Sequence, residues 1–312
     1  MADVKRVATR QSYGEELVAL GAEHDDFLVL DADLAAATQT GRFKAAYPDR
    51  FVDCGIAEQN LMGVAAGIAT TGHRVFASTF AMFAAGRAFE QVRNSIGYPH
   101  LHVVIGATHA GISVGEDGAT HQCNEDIALM RAIPGMTVVV PSDDVEARAA
   151  VRAAYEADGP VYLRLGRLAA PVIHGDGYRF EVGRGVVERE GADVTVVATG
   201  LMVSSALEAA EALAAEGIDC EVLNLHTVKP LDADLVAESA AKTGRVVTVE
   251  EHSVIGGLGG AVCEALAERC PVPVRRVGVR DVFGESGPAV DLLARYGLDG
   301  AGVAESIRSF LR

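Results

Sequence analysis

Short apolar runs that alternate with helical patterns constrain the fold of this chain more than any other feature. In the first part of the chain these runs are Phe27–Leu30, Phe51–Asp53, Val75–Phe80, Val103–Ile105, Thr137–Val140 and Val161–Leu165. The rhythm resumes at Asp193 and continues through Glu221–Leu225, Arg245–Val249 and Val274–Val279. Strands that alternate with helices in this way are typical of parallel, doubly wound sheets. The sequence therefore predicts an α/β fold with two doubly wound domains.

A change in composition separates the two series of strands. Residues 169–190 are rich in glycine and include Pro171, which is typical of a connection between domains. The chain has 312 residues, enough for two domains of ordinary size. We predict a first domain over residues 1–172, a linker over 173–190 and a smaller second domain over 191–312.

The charge balance limits the kinds of partner. The chain carries 27 basic and 43 acidic side chains, a net charge of −16, so its overall field attracts neither nucleic acid nor an anionic membrane. Small anionic substrates are not excluded, because they respond to local arginine and histidine. The five cysteines include no close C-x-x-C pair, and no apolar run is long enough to span a bilayer. These features predict a cytoplasmic protein without a disulfide framework.

The glycine-rich stretch after Val103–Ile105 is the best candidate for a functional site. Within thirteen residues it carries His109, Glu116, Asp117 and His121, more ionisable groups than a solvated loop usually contains. In parallel sheets, sites lie beyond the carboxyl ends of the strands. The residues at or just after predicted strand ends are Asp31–Leu34, Glu58, Phe80, His109 and Arg167.

Three motifs in this order and spacing resemble the transketolase family of thiamine-diphosphate enzymes. They read F-V-D-C-G-I-A-E-Q-N, F-A-S-T-F-A-M-F and T-H-A-G-I-S-V-G-E-D-G-A-T-H-Q. The resemblance covers the pyrimidine-binding domain and the transketolase C-terminal domain, which together are essentially the whole chain. It does not cover the diphosphate-binding half of a full-length transketolase. The resemblance therefore implies the C-terminal subunit of a split transketolase.

The resemblance also implies how the cofactor, thiamine diphosphate, is held. Glu58 would hydrogen-bond the aminopyrimidine ring and favour the tautomer that takes a proton from the thiazolium ring. Leu34 would contact the cofactor, and the aromatic stripe Phe76, Phe80 and Phe83 would contribute the wall of the pyrimidine pocket. Without the flanking motifs, a glutamate at a helix N-terminus and a packed aromatic stripe would be the better readings. A divalent metal, Mg²⁺ or Ca²⁺, would be held by the partner subunit, with no ligand from this chain.

For the sugar substrate, the resemblance assigns proton transfer and hydrogen bonding to His109 and His121. Asp117 would accept a hydrogen bond from a substrate hydroxyl, and Arg10 and Arg167 would bind the phosphate end. The family usually has a serine in the loop after A-D-L, where this chain reads A-A-A-T, so Thr38 is the candidate replacement. A second departure is A-G-I-S after His109, and both leave the choice of sugar open.

The expected partner is an N-terminal transketolase subunit. Two copies of each chain would form an α2β2 heterotetramer around a homodimer of this subunit, acting on sugar phosphates such as those of pentose phosphate metabolism. The chain alone would be inactive.

Other readings stay open at this stage. A 1-deoxy-D-xylulose-5-phosphate synthase-like enzyme half shares the A-E-Q and T-H-Q signatures, but normally has Asp-Arg where this chain has His109–Ala110. A 2-oxo acid dehydrogenase beta subunit has a similar length but lacks the G-E-D-G-A-T-H-Q loop. A non-catalytic partner would not need Glu58, His109, Asp117 and His121. Finally, G-G-L-G-G at residues 256–260 suits either phosphate binding at a helix N-terminus or close helix packing, the latter being favoured.

Overall fold

The computed structural model describes residues 5–175 and 177–312, so Asp176 of the predicted linker lies outside the described residues, as do residues 1–4. The chain forms two compact units. Besides the residues up to Ala110, the first unit contains Leu129–Val139 and Asp143–Glu181. The second unit contains Gly111–Ala128, Val140–Ser142 and Val182–Arg312. The second unit thus includes a stretch from the middle of the chain, and the domain boundaries predicted above stay predictions.

The first unit alternates strands and helices. Its strands are β1 (Arg6–Ala8), β2 (Phe27–Asp31), β3 (Phe51–Asp53), β4 (Arg74–Phe80), β5 (Val103–Thr108), β6 (Thr137–Val139), β7 (Val161–Arg164) and β8 (Ala169–Pro171). Its helices are α1 (Thr9–Glu23), α2 (Ala35–Thr38), α3 (Gly41–Ala46), α4 (Glu58–Ala69), α5 (Phe89–Gln91), α6 (Asp126–Arg131, which crosses between the units) and α7 (Asp144–Glu156). Short 3₁₀ or π segments cover Pro48–Arg50, Phe83–Arg87 and Val92–Gly97.

The main sheet of the first unit is parallel. Its strands are hydrogen-bonded in the order β6-β7-β5-β4-β2-β3. The chain runs from β2 outward to β3 and then returns to the other side of β2 to form β4. The strand order therefore reverses between β2 and β4, and in such sheets ligands bind beside this switch point, beyond the carboxyl ends of the strands. Leu34, Glu58 and Phe80 all follow or end strands beside it.

An apolar layer between the sheet and the helices α1, α3 and α7 stabilises the first unit. Tyr13, Phe27, Phe43 and Phe76 are fully buried in this layer. The rings of Phe27 and Phe76 meet edge-on with centroids 5.4 Å apart, a favoured geometry for aromatic pairs. A buried aromatic side chain of this kind contributes on the order of 2–3 kcal/mol by its removal from water.

The second unit has its own sheet. The strands within this unit are β9 (Val186–Arg189), β10 (Val194–Ala198), β11 (Cys220–Asn224), β12 (Thr227–Lys229), β13 (Val246–Ser253) and β14 (Val274–Val279), and all except β12 belong to this sheet. The sheet order is β14-β13-β10-β11-β9, parallel except for the antiparallel edge strand β9. Its helices are α8 (Met202–Ala214), α9 (Ala233–Thr243), α10 (Leu258–Arg269), α11 (Ala289–Arg295) and α12 (Gly300–Leu311). A 3₁₀ segment covers Ile112–Asp117.

The predicted α/β class with two parallel-sheet units is confirmed, and each predicted apolar run is a strand. The structure adds three local features that the sequence pattern does not show. The alanine-rich segment 83–96 is compatible with a regular helix, but it is interrupted by π segments on both sides of α5. The end of the predicted linker forms β9, and the pair β1–β8 was not predicted. None of the helices in the described part of the chain combines the length and apolar character that crossing a membrane requires.

Candidate active site

Aromatic and imidazole rings stack beside the switch point of the first unit. Phe80 ends β4 and His109 follows β5, and the two strands are neighbours with Phe80 opposite Thr108. The ring centroids of Phe80 and His109 are 3.8 Å apart at an interplanar angle of 24°. Phe83 continues the stack, 5.8 Å from Phe80 and nearly parallel to it at 15°. The strand register therefore brings the rings of Phe80 and Phe83 together with that of His109, which belongs to a different sequence motif.

His109 adopts a backbone conformation that side-chain-bearing residues rarely take. Its φ is +57°, in the left-handed region, and strain of this kind is concentrated at functional sites. The residue is 3% exposed, and Nδ1 of its ring lies 2.9 Å from the Thr108 hydroxyl. Its Nε2 lies 3.4 Å from Arg10 Nη1. Because arginine has only donors, Nε2 accepts in this pair, and Nδ1 carries the ring proton toward Thr108.

Arg10 and Arg167 form a local positive region next to His109. The half-buried Arg10 donates to the carbonyl oxygen of Ala37 at 2.7 Å. Burial, and to a lesser degree the charge of Arg167, lower the pKa of Arg10 below its ordinary value. The local backbone is tied by a bond from the Gly166 amide to the Thr9 hydroxyl, at 2.8 Å. Two neighbouring guanidinium groups on an acidic protein are well suited to an anionic ligand such as a phosphate.

Glu58 lies at the N-terminus of α4, where the helix dipole favours a carboxylate. Its side chain is 3% exposed and accepts a bond from Arg87 Nη1 at 2.9 Å, while the Arg87 side chain is 51% exposed. The Arg87 guanidinium also lies over the Phe83 ring, 4.5 Å from its centroid. Arg87 therefore connects the buried carboxylate to the aromatic stack.

Sequence reasoning missed Arg87. The signal was the i, i+4 spacing of Phe83 and Arg87 in a helical pattern, which places two side chains on one face. The segment Phe83–Arg87 is a π segment, and such segments are frequent at functional sites.

Asp31 shapes the turn that carries Leu34. Its carboxylate accepts from the Leu34 amide at 2.6 Å and from the hydroxyls of Thr38 and Thr40 at 2.7 and 2.8 Å. Burial raises the pKa of Asp31, against the lowering effect of these hydrogen bonds. Leu34 itself is half-buried beside the turn.

The same arrangement defines the surroundings of Thr38. The residue is fully buried, and its hydroxyl donates to the Asp31 carboxylate. The buried carboxylate at the end of β2 needs donors, which the two threonines provide. The predicted contact of Thr38 with a substrate phosphate stays a prediction.

Phe76 lies deeper in the first unit than Phe80, and its predicted contact with the cofactor stays a prediction. Phe76 is fully buried in the core, against Phe27 and Tyr13. It lies four residues before Phe80 on the same strand, about 13 Å further from the carboxyl end at the usual rise per residue. The aromatic stripe therefore divides between the core and the site.

Asp117 and His121 belong to the second unit, in the segment Gly111–Ala128. Asp117 is exposed at the end of the 3₁₀ segment, and His121 is half-buried with its Nδ1 2.9 Å from the Thr120 hydroxyl. Both are accessible enough to meet a substrate. Their predicted roles stay predictions.

The N-terminus of α10, where the sequence offered two readings, holds a carboxylate of the chain itself. The fully buried Glu250 accepts from the amides of Leu258 and Gly259 at 2.6 and 2.9 Å. A phosphate would have to displace this carboxylate, so the structure supports the packing interpretation. Within residues 5–175 and 177–312, no three or more His, Cys, Asp or Glu side chains are grouped so that they could hold a metal ion.

Family comparisons match both parts of the chain. Residues 5–172 match the transketolase pyrimidine-binding domain, and residues 183–303 match the transketolase C-terminal domain. The chain is 49% identical over 301 residues to a putative transketolase C-terminal section of Methanocaldococcus jannaschii, covering 96% of this chain and 94% of that protein. It is 48% identical to a 6-deoxy-6-sulfo-D-fructose transketolase subunit of a Clostridium strain, covering 93% and 90%.

A solved structure described as a split gene transketolase, inactive beta4 tetramer, has the same fold. It superposes with a TM-score of 0.91 at 56% identity and covers 98% of both chains. With two family models matched in order and relatives aligned along nearly their whole length, this chain belongs to the transketolase family and corresponds to its pyrimidine-binding and C-terminal domains.

Proposed function

We propose that this chain is the C-terminal subunit of a two-chain, thiamine-diphosphate-dependent transketolase that transfers a two-carbon ketol unit from a ketose phosphate to an aldose phosphate. One observation carries the proposal. A continuous series of contacts runs from the buried Glu58 carboxylate through Arg87, Phe83 and Phe80 to His109 and Arg10. It lies beside the switch point of a parallel sheet, where such folds bind ligands.

The residues of this series suit the pyrimidine end of the cofactor. A buried carboxylate can hydrogen-bond a ring nitrogen, and the faces of Phe80 and Phe83 can pack on a flat heterocycle. When bound, the cofactor supplies the nucleophilic carbon that accepts the ketol unit. Glu58, Leu34, Phe80 and Phe83 would hold and orient it, while Arg87 keeps the carboxylate of Glu58 in place.

The same geometry supports proposed roles toward the sugar. The unprotonated Nε2 of His109 can accept a proton from a substrate hydroxyl or hydrogen-bond it. Arg10 and Arg167 would hold the phosphate end of the sugar, because guanidinium groups bind phosphate oxygens in pairs. As the family resemblance implies, His121 and Asp117 would contact hydroxyl groups of the sugar.

The diphosphate and its divalent metal would be held by an N-terminal companion subunit, and two copies of each chain would form the active assembly. Two observations support this proposal. The M. jannaschii relative is itself described as a C-terminal section, and this chain covers nearly all of it. The neighbour at 56% identity is described as a split gene transketolase and as an inactive beta4 tetramer.

The relative from Clostridium, described as a sulfofructose transketolase subunit, favours a second candidate donor. A sulfonate is a tetrahedral anion like a phosphate, with one negative charge, and the Arg10–Arg167 pair would bind either group. A donor panel should therefore include a 6-deoxy-6-sulfo ketose beside the ketose phosphates.

Reconstitution tests the proposed function. The purified chain, given saturating thiamine diphosphate and magnesium, should show no ketol transfer. Adding the companion chain should restore activity, with saturation near one-to-one. A chain of similar length encoded beside this gene and carrying a G-D-G…N motif would be the companion to use. Robust turnover by the lone polypeptide, free of host transketolase, would overturn the two-chain proposal.

A further inference from the structure

We propose that Glu251, in the second unit, is a positioning residue for residues 111–122, which we call the substrate loop because they carry Asp117 and His121. The inference rests on the proposed function, because only that function makes residues 111–122 a substrate-binding loop. The contacts between Glu251 and the loop are independent of it. Glu251 thereby gives the C-terminal part of the chain a role in choosing the sugar.

Glu251 holds the beginning of the substrate loop. It lies near the end of β13, where its side chain is 5% exposed, and its Oε1 accepts a bond from the Ser113 amide at 2.5 Å. Gly111, with φ +81°, allows this close approach, because a Cβ at residue 111 would lie 2.5 Å from Glu251 Oε1. A hydrogen bond to an ionised acceptor is stronger than one between neutral groups.

The far end of the loop is held by residues 283–288. Gln122 Nε2 donates to the carbonyl oxygen of Glu285 at 2.9 Å and to that of Ile112 at 3.1 Å. A Cβ at Gly118 would lie 2.4 Å from the Ser286 hydroxyl oxygen, which shows how closely the two segments pack. Glu251 and Gln122 therefore fix the two ends, and Asp117 lies between them.

The loop needs such support because of its own composition. Gly111, Gly115 and Gly118 all have positive φ, so the backbone between the two ends has few steric restraints. Substrate-binding groups lose rate steeply when they are displaced, by about 10²-fold for 1 Å. A carboxylate that fixes the Ser113 amide thus limits where Asp117 can lie.

The neighbouring Glu250 provides a matched control. It is buried on the same strand, and its carboxylate caps α10 by accepting from the amides of Leu258 and Gly259. Removing either carboxylate costs the unit a buried charged acceptor. Only the loss of Glu251 should release the loop.

Hydrogen–deuterium exchange on the full chain tests the structural claim without any assay of activity. In Glu251→Ala, peptides covering 111–122 should exchange about tenfold faster or more, as expected from the loss of a hydrogen bond to a charged group. In Glu250→Ala the faster exchange should be confined to the start of α10. Unchanged loop exchange in Glu251→Ala, or an equal increase in Glu250→Ala, would overturn the inference. If the alanine variants do not fold, Glu251→Gln and Glu250→Gln keep the side-chain shape for the same comparison.

Kinetics of the reconstituted complex test the functional claim. Glu251→Ala should lower kcat/KM for the sugar about tenfold or more, with cofactor affinity unchanged. Glu251→Gln, which keeps a neutral acceptor, should lose less of the kcat/KM than Glu251→Ala. In an Asp117→Ala background, Glu251→Ala should add less than about threefold, because the effect passes through the loop.

Fully additive losses would show that Glu251 acts elsewhere. A wild-type complex without ketol transfer would refute the proposed function instead, and the exchange experiment would still decide the role of Glu251.

Discussion

His109 is held by neighbours in a conformation that its own backbone disfavours. Left-handed φ at a side-chain-bearing residue costs on the order of 1–3 kcal/mol, and here the stack with Phe80 and the bond to Thr108 compensate for it. The motif identified His109 in the sequence, but its partners could not be predicted, because they come from other strands. Phe76 and Phe80 show the same limit: their spacing was visible, whereas the depth at which each lies along β4 was not.

At this scale, Glu58→Gln is the sharpest test of the cofactor site. The variant should fold and bind cofactor in the complex, because the amide keeps the shape of the carboxylate. Turnover should fall by about 10²–10⁴, the usual loss when a proton-transfer group is removed. Glu23→Gln, at an exposed glutamate paired with Arg152, is the control and should keep full activity. If Glu58→Gln and Glu23→Gln had comparable turnover, Glu58 would have no role in the proton transfer.

The arginine pair makes a separate prediction about the anionic end of the sugar. Arg10→Ala and Arg167→Ala should each raise KM for a phosphorylated sugar by about tenfold or more, since a bond to a charged group contributes about 1.5–3 kcal/mol. KM for the unphosphorylated sugar should change much less. Arg42→Ala, at an exposed arginine beside Glu15, provides the comparison. An equal rise for both sugars would mean that the pair supports the fold rather than the phosphate.

At the scale of elements, buried parallel strands were the most predictable feature. They read as short apolar runs because both faces of the sheet are covered. The pair β1–β8 escaped prediction, since each strand has three residues and pairs with a distant segment. The interruption of the helix after Phe83 also escaped, because alanine-rich sequence is compatible with a regular helix, and the π segments depend on tertiary packing.

The cap of α7 yields a prediction about stability. Asp143 accepts from the Glu146 amide at 2.9 Å, the bond that a residue at a helix N-cap usually makes. It also accepts from the amides of Ile173 and His174 at 2.8 Å each. Asp143→Ala should therefore destabilise the first unit by about 2 kcal/mol or more, beyond the ~1 kcal/mol of an ordinary cap. Asp299→Ala, which removes a cap with one bond to Gly302, should show the ordinary loss. Urea midpoints measure both, and equal losses would contradict the prediction.

The effect should also depend on pH. Burial raises the pKa of Asp143, but the His174 ring and the backbone amides outweigh it and hold the pKa below its ordinary value. A carboxyl with a lowered folded-state pKa stabilises the protein fully above its unfolded value, about 3.9, and loses that contribution as pH falls through the folded value. The difference in the free energy of unfolding between wild type and Asp143→Ala should thus be constant near neutral pH. It should become smaller below about pH 4.

At the scale of the whole molecule, the proposed two-chain enzyme would divide the cofactor site between two polypeptides. Ligand that binds only the assembled state stabilises it by about 2.7 kcal/mol at a hundredfold excess over Kd. Thiamine diphosphate with magnesium should therefore raise the melting temperature of the mixture with the companion chain and leave that of the isolated chain unchanged. Differential scanning calorimetry of the two samples is the measurement. A similar rise for the isolated chain would place the complete cofactor site within this polypeptide.

Gly111–Ala128 belong to the second unit, although they lie in the middle of the chain. This grouping determines where two related genes can be recombined, in evolution or in the design of chimeras. A recombination point in the connection before β9 is the natural place to exchange C-terminal halves between paralogues. Such an exchange would separate the substrate loop from Glu251 and from residues 283–288, which hold its two ends. Chimeras that move residues 111–128 together with the C-terminal half should keep the donor's choice of sugar, whereas a simple two-piece swap should lose it.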